Sequence, residues 1–109
     1  MAVDFLEAQG YRIIETNYRV SLGEIDIIAQ EGQRLCFVEV KTRRSDQKGT
    51  AKEAVTYSKQ RKLVSLAQWY LKERFQNRVN IPSRFDVVAI DYNEENLPQL
   101  QLIRNAFGA

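Results

Sequence analysis

The chain contains no histidine and a single cysteine among its 109 residues. Those absences exclude Ser-His-Asp and Cys-His nucleophilic schemes, zinc-finger ligation and any disulfide within the chain. No apolar run approaches the roughly 20 residues a membrane-spanning helix needs, so no membrane association is expected. The first residues lack a basic stretch followed by an apolar one, so no secretory signal is expected and the cytoplasm is the expected compartment. Carboxylate, lysine and hard-cation chemistry remain available.

A length of 109 residues suits one domain, 1–109, able to bury roughly two thirds of its unfolded surface. A hydrophobic content of 44% with 28% charged residues is that of a soluble globular protein. The net charge of +2 is too small to name a partner, but it is unevenly spread. From Lys41 to Lys62 eight Lys or Arg residues stand against Asp46 and Glu53, a local charge of +6, which leaves −4 for the rest. A basic segment of this kind suits a phosphate polyanion or, alternatively, a solvated helix face.

Acids stand inside two strand-like runs, Gly23-Glu24-Ile25-Asp26-Ile27-Ile28 and Phe37-Val38-Glu39-Val40-Lys41. Asp and Glu are depleted from strands, so their presence there suggests function. Glu31-Gly32-Gln33-Arg34 separates the runs as a hairpin loop would. Placing Gln30 opposite Leu35 sets Ile28 against Phe37, Asp26 against Glu39 and Glu24 against Lys41, all on one face. Ile25, Ile27, Ala29, Cys36, Val38 and Val40 then share the other, apolar face, and Cys36 reads as a small buried hydrophobe.

Two carboxylates about 4 Å apart repel by on the order of 4 kcal/mol at an effective dielectric near 20. A shared divalent cation, a contribution from Lys41, or protonation of one acid would offset this, and the cation is the favoured reading. The plainer alternative is a solvated hairpin face with Glu24 paired to Lys41. It would leave Ile28, Leu35 and Phe37 exposed beside the acids.

Periodicity predicts a helix over residues 2 to 9, strands over 12–18, 24–30 and 35–42, and a loop over 43–50. Thr50 and Glu53 fit a capping box opening a long helix to about Phe75, broken near Thr56, with Leu63, Leu66, Ala67, Tyr70 and Leu71 as its apolar stripe. Trp69 and Phe75 read as packing or partly exposed residues. Strands are expected over 84–90 and 100–104, paired as a hairpin, and Asp86 is read as a structural hydrogen-bond or ion-pair partner. This order indicates an α+β sandwich.

Glu24 and Asp26 followed by Glu39-Val40-Lys41 resemble the acid, spacer, Glu-X-Lys pattern of the PD-(D/E)XK nucleases, whose restriction-endonuclease-like core runs αβββαβ. More specifically, Asn17-Tyr18-Arg19, Gly23-Glu24-Ile25-Asp26, Phe37-Val38-Glu39-Val40-Lys41-Thr42-Arg43, Glu53-Ala54-Val55, Arg84-Phe85-Asp86-Val87-Val88 and Asn105-Ala106-Phe107 resemble the uncharacterised YraN family, which is similar to Holliday-junction resolvases. The resemblance implies a mixed central sheet flanked by helices. It also implies that Asp26 and Glu39 ligate Mg2+ or Mn2+, that the Val40 carbonyl joins them, and that Lys41 positions the attacking water with Glu24 as an auxiliary acid.

The implied activity is metal-dependent phosphodiester hydrolysis on nucleic acid, DNA in the first instance, with a homodimer expected. Arg43, Arg44, Lys59 and Arg61 are the candidate phosphate contacts. Family members carry Gly-Glu in the first helix, ahead of the segment seen here as Ala2-Val3-Asp4-Phe5-Leu6; Met1 stands where that sequence would lie, so the first helix reads as truncated. A catalytically inactive nucleic-acid-binding module of the same fold, and a protein-interaction domain, are the alternative readings.

Overall fold

Two tight hairpins and one long crossover determine how the strands can meet. The computed structural model describes residues 1–44, 49–76 and 80–108. Its elements are α1 (Ala2–Ala8), β1 (Arg12–Val20), β2 (Gly23–Glu31), β3 (Arg34–Arg44), α2 (Tyr57–Phe75), β4 (Ser83–Tyr92) and β5 (Pro98–Phe107). The α+β order is the expected one. Val20 pairs with Gly23 and Glu31 with Arg34, so two-residue turns join β1 to β2 and β2 to β3. Gly32 has φ 60°, the left-handed conformation such a turn demands.

The five strands lie in the order β1-β2-β3-β4-β5. Neighbours run antiparallel except β3 and β4, which are parallel. Parallel neighbours require a crossover, and α2 supplies it. One face of the sheet buries Ile28, Leu35, Phe37, Phe85 and Val87 against Leu63, Leu66, Ala67 and Tyr70 of α2. Tyr70 anchors that layer, meeting the rings of Tyr18 and Phe37 edge-on. The other face packs Ile27, Ala29, Cys36, Val38, Val88 and Ile90 against Leu6 and Tyr11. Helices therefore cover both faces of a mixed sheet.

Element ends differ from the sequence reading for local reasons. Thr50 and Glu53 do form reciprocal capping bonds, 2.8 and 3.2 Å, but they close a turn over residues 51–54. The chain is extended at Thr56, where the side chain accepts from Lys59 N and starts α2. β3 continues through Arg43 and Arg44 because both still pair with β4, opposite Asp91 and Tyr92. The expected loop 43–50 thus begins later, and residues 45–48 lie outside the described ones. Trp69 is half exposed and Phe75 packs on the edge of the core.

Asp86 is the buried charged residue of the described core. Tyr11 Oη donates to it at 2.7 Å, Arg84 Nε at 2.9 Å and Asn105 N at 2.9 Å. Asn105 has φ 53° and sits where β5 slips register against Phe85 and Val87, so the carboxylate pins a bulge. Arg84 and Arg104 extend the network to Glu31, and the Arg104 guanidinium, aided by Arg84 against the cost of burial, holds that carboxyl down to about 2. Removing Asp86 would leave Arg84 Nε and the Asn105 N–H without their acceptor. Asp86→Ala should cost about 3–5 kcal/mol in denaturant unfolding and Tyr11→Phe about 1 kcal/mol; equal losses from both would mean that the carboxylate is not the hub.

Candidate functional site

The β2–β3 ladder stops at Ile27 and Val38. Beyond that point β2 continues beside β1 as far as Gly23, and β3 continues beside β4 as far as Arg44. The two halves of the sheet part, and a side chain takes the place of the lost backbone partner: Val40 N donates to Asp26 Oδ2 at 2.8 Å. In a strand the N–H and C=O of one residue point the same way, so the Val40 carbonyl is directed to the same opening.

Parting is accompanied by a break in side-chain alternation. Ile28 and Ile25 both belong to the α2 layer whereas Ile27 belongs to the α1 layer, so residues 25 and 27 face opposite ways. Asn17, at φ 52°, lies on β1 between the pairs Thr16–Ile27 and Tyr18–Ile25, and both strands readjust there. The expected register therefore holds from Gln30 to Ile28 and fails from Asp26 outward, which corrects the assignment of Ile25 to the Ile27 face. A side chain on Gly23 would meet Lys62 and Leu66 of α2. Gly23 and Ile25 both face α2, so Glu24 is turned to the reverse side, where it accepts from Arg19 Nε at 3.0 Å.

Asp26 and Glu39 remain together at the opening. Glu39 is only 12% exposed and its Oε2 lies 3.9 Å from Lys59 Nζ. Burial raises its pKa from 4.5, the Asp26 charge raises it further, and Lys59 and then Lys41 pull it back, leaving it at about 7. A carboxyl so placed carries either a proton or a neighbouring cation near neutrality.

The basic candidates separate into different roles. Lys41 is half-buried two residues beyond Glu39. Arg43 is held by Asp91 at 2.9 and 3.1 Å and donates to Gly49 O at 3.1 Å, so it braces β3 to β4 and to the chain beyond. Arg44 and Arg61 are exposed. Thr16 and Asn17, neither named as a site candidate from the sequence although Asn17 stands in a family motif, line a cavity of about 480 Å³ with Asp26, Val40 and the first residues of α1. The positive φ of Asn17 is a tertiary property, although Asn is the residue type that tolerates it.

Among the described residues no group of three or more His, Cys, Asp or Glu side chains is placed to hold a metal ion. Two carboxylates and a carbonyl nevertheless fit the habit of Mg2+, which binds through one or two carboxylates and keeps several waters. Burial lifts Glu39 most, and the Asp26 charge that lifts it further is what such an ion would neutralise.

Residues 1–90 match the uncharacterised protein family UPF0102. The chain belongs to that family. It is 50% identical to a UPF0102 protein of Symbiobacterium thermophilum over 99% of this chain and 90% of the relative. A UPF0102 protein of Desulforapulum autotrophicum is 48% identical over 94% of this chain and 83% of its own length, and one from Caldicellulosiruptor saccharolyticus is 47% identical over 97% and 89%. These relatives are of nearly the same extent as this UPF0102 chain, and the resemblance to YraN-type sequences is upheld at the level of the family.

The raised Glu39 pKa carries a sign. Between 4.5 and about 7 the folded chain holds a proton that the unfolded chain has released, so this contribution to stability is full below 4.5 and lost as pH rises through 7. With chelator present, Glu39→Gln should exceed wild type at pH 8 by on the order of 2 kcal/mol and lose that advantage by pH 4. Thermal melts that run parallel for the two proteins across this range would show that Glu39 is not perturbed.

Proposed function

We propose that this chain is a metal-dependent phosphodiesterase of the PD-(D/E)XK, resolvase-like type, acting on nucleic acid and on DNA in the first instance, in the cytoplasm. The observation that carries the reading is the Asp26–Glu39 pair at the parting of β2 and β3, backed by Lys41 on the same strand. Asp26, Glu39 and the Val40 carbonyl would hold Mg2+ or Mn2+. Such an ion supplies charge neutralisation at phosphoryl oxygens and acidifies a water.

The chain's own residues do the rest. Asp26 is fixed by the Val40 N–H, so one of its oxygens is committed and its carboxylate cannot swing. Lys41 orients the attacking water or meets the phosphoryl oxygens. Lys59 and the exposed Arg44 and Arg61 would contact backbone phosphates, contributing affinity and salt dependence without reading base sequence. Arg43, committed to Asp91, supports the strand that carries Glu39 and Lys41. Glu24, held by Arg19, would serve as the auxiliary acid. A two-fold homodimer is the assembly this reading expects.

The reading is tested with branched, nicked and single-stranded DNA and matched RNA in the presence of manganese. Wild type should cleave, and Asp26→Ala, Glu39→Ala and Lys41→Ala should each lose about a hundredfold or more. Arg44→Ala and Arg61→Ala should instead weaken binding and reduce the salt slope by about one each. Identical cleavage by all variants would assign the activity to a contaminant. Salt-sensitive binding without cleavage would favour a non-catalytic nucleic-acid-binding module, and absence of both would favour a protein-interaction domain.

A further inference from the structure

Glu39 of the acid pair already has a cation beside it, delivered from another element. Lys59 Nζ is 3.9 Å from Glu39 Oε2. It hangs from the first turn of α2, and its backbone N–H is held by Thr56 Oγ1 at 3.2 Å. Its side chain is 40% exposed while that of Glu39 is 12% exposed, so the ammonium sits at the mouth with the carboxylate beneath it. Lys62, three residues along the same helix face, packs its stem towards Gly23 instead.

We infer that Lys59 occupies the cation position of the Asp26–Glu39 pair and is displaced when a divalent ion enters. This rests on the reading of the pair as a metal site. An ammonium and a divalent ion against the same carboxylate repel each other. The lysine stem is flexible and half in water, so it can withdraw while the Thr56 cap keeps the helix in place. Lys59 is then a positioning residue: it keeps the two carboxylates together before loading, sets how tightly the ion is taken, and is released at the rim afterwards.

The experiment is calorimetric titration of Mn2+ into the full chain, comparing wild type with Lys59→Met, Lys59→Gln, Lys59→Arg, Lys62→Met and Asp26→Ala. Lys59→Met and Lys59→Gln should bind Mn2+ on the order of tenfold tighter than wild type, since neither carries an ammonium to repel the ion. Lys59→Arg should stay near wild type, and Lys62→Met, which removes the same charge from the same helix, should change little. The inference is overturned if Lys59→Met and Lys59→Gln bind no tighter than wild type, or if Lys62→Met tightens binding equally. If Asp26→Ala leaves Mn2+ binding intact, or no variant binds Mn2+, the metal reading itself falls, a result distinct from an unchanged affinity at Lys59.

Discussion

The hydrogen bond from Val40 N to Asp26 Oδ2 is the contact around which the candidate site is organised. Parting two strands of a sheet strands backbone donors, and a buried donor without a partner costs about 1–3 kcal/mol. Asp26 meets that cost on one side of the opening. By doing so it fixes its own carboxylate beside Glu39 and keeps the gap from closing into an ordinary ladder. A structural hydrogen bond and a chemical arrangement are thus the same interaction.

The parallel step between β3 and β4 has a comparable double consequence. It obliges the chain to cross the sheet, and α2 makes that crossing with Leu63, Leu66, Ala67 and Tyr70 facing the strands. The same crossing brings the first turn of α2 over Glu39, which is how Lys59 reaches a carboxylate 20 positions earlier. On the opposite face the fold relies on a satisfied polar cluster, with Asp86 gathering Tyr11, Arg84 and the bulged Asn105. The two ends of the β2–β3 hairpin therefore differ in kind: at Glu31 acids are matched by arginines, and at Glu39 acids crowd one another.

Much of this was legible from residues alone. Hydrophobic alternation and the Gly32 turn placed Gln30 opposite Leu35 and Ile28 opposite Phe37, and the helical stripe identified the face of α2 that is buried. Asp86 could be read as structural because an acid inside an apolar run needs partners, and Cys36 as inert because its neighbours are apolar. The role of Arg43 was not legible: its strand outlasts the sequence signal, and its partner Asp91 lies 48 positions away. Nor was the break in alternation at Asp26, since a two-residue period cannot foresee the positive φ of Asn17 on the neighbouring strand.

By itself the sequence determined the element order, the hairpin register near Gly32 and the presence of two acids and a lysine on adjoining strands, because these follow from local propensity and a two-residue period. Tertiary structure alone decided that the ladder ends at Ile27, that Glu39 is buried enough to be perturbed, and that Lys59 rather than Lys41 stands at its mouth. Those outcomes depend on how far two strands diverge and where a crossover helix lands, quantities set by packing across the whole sheet and invisible to any short window of residues.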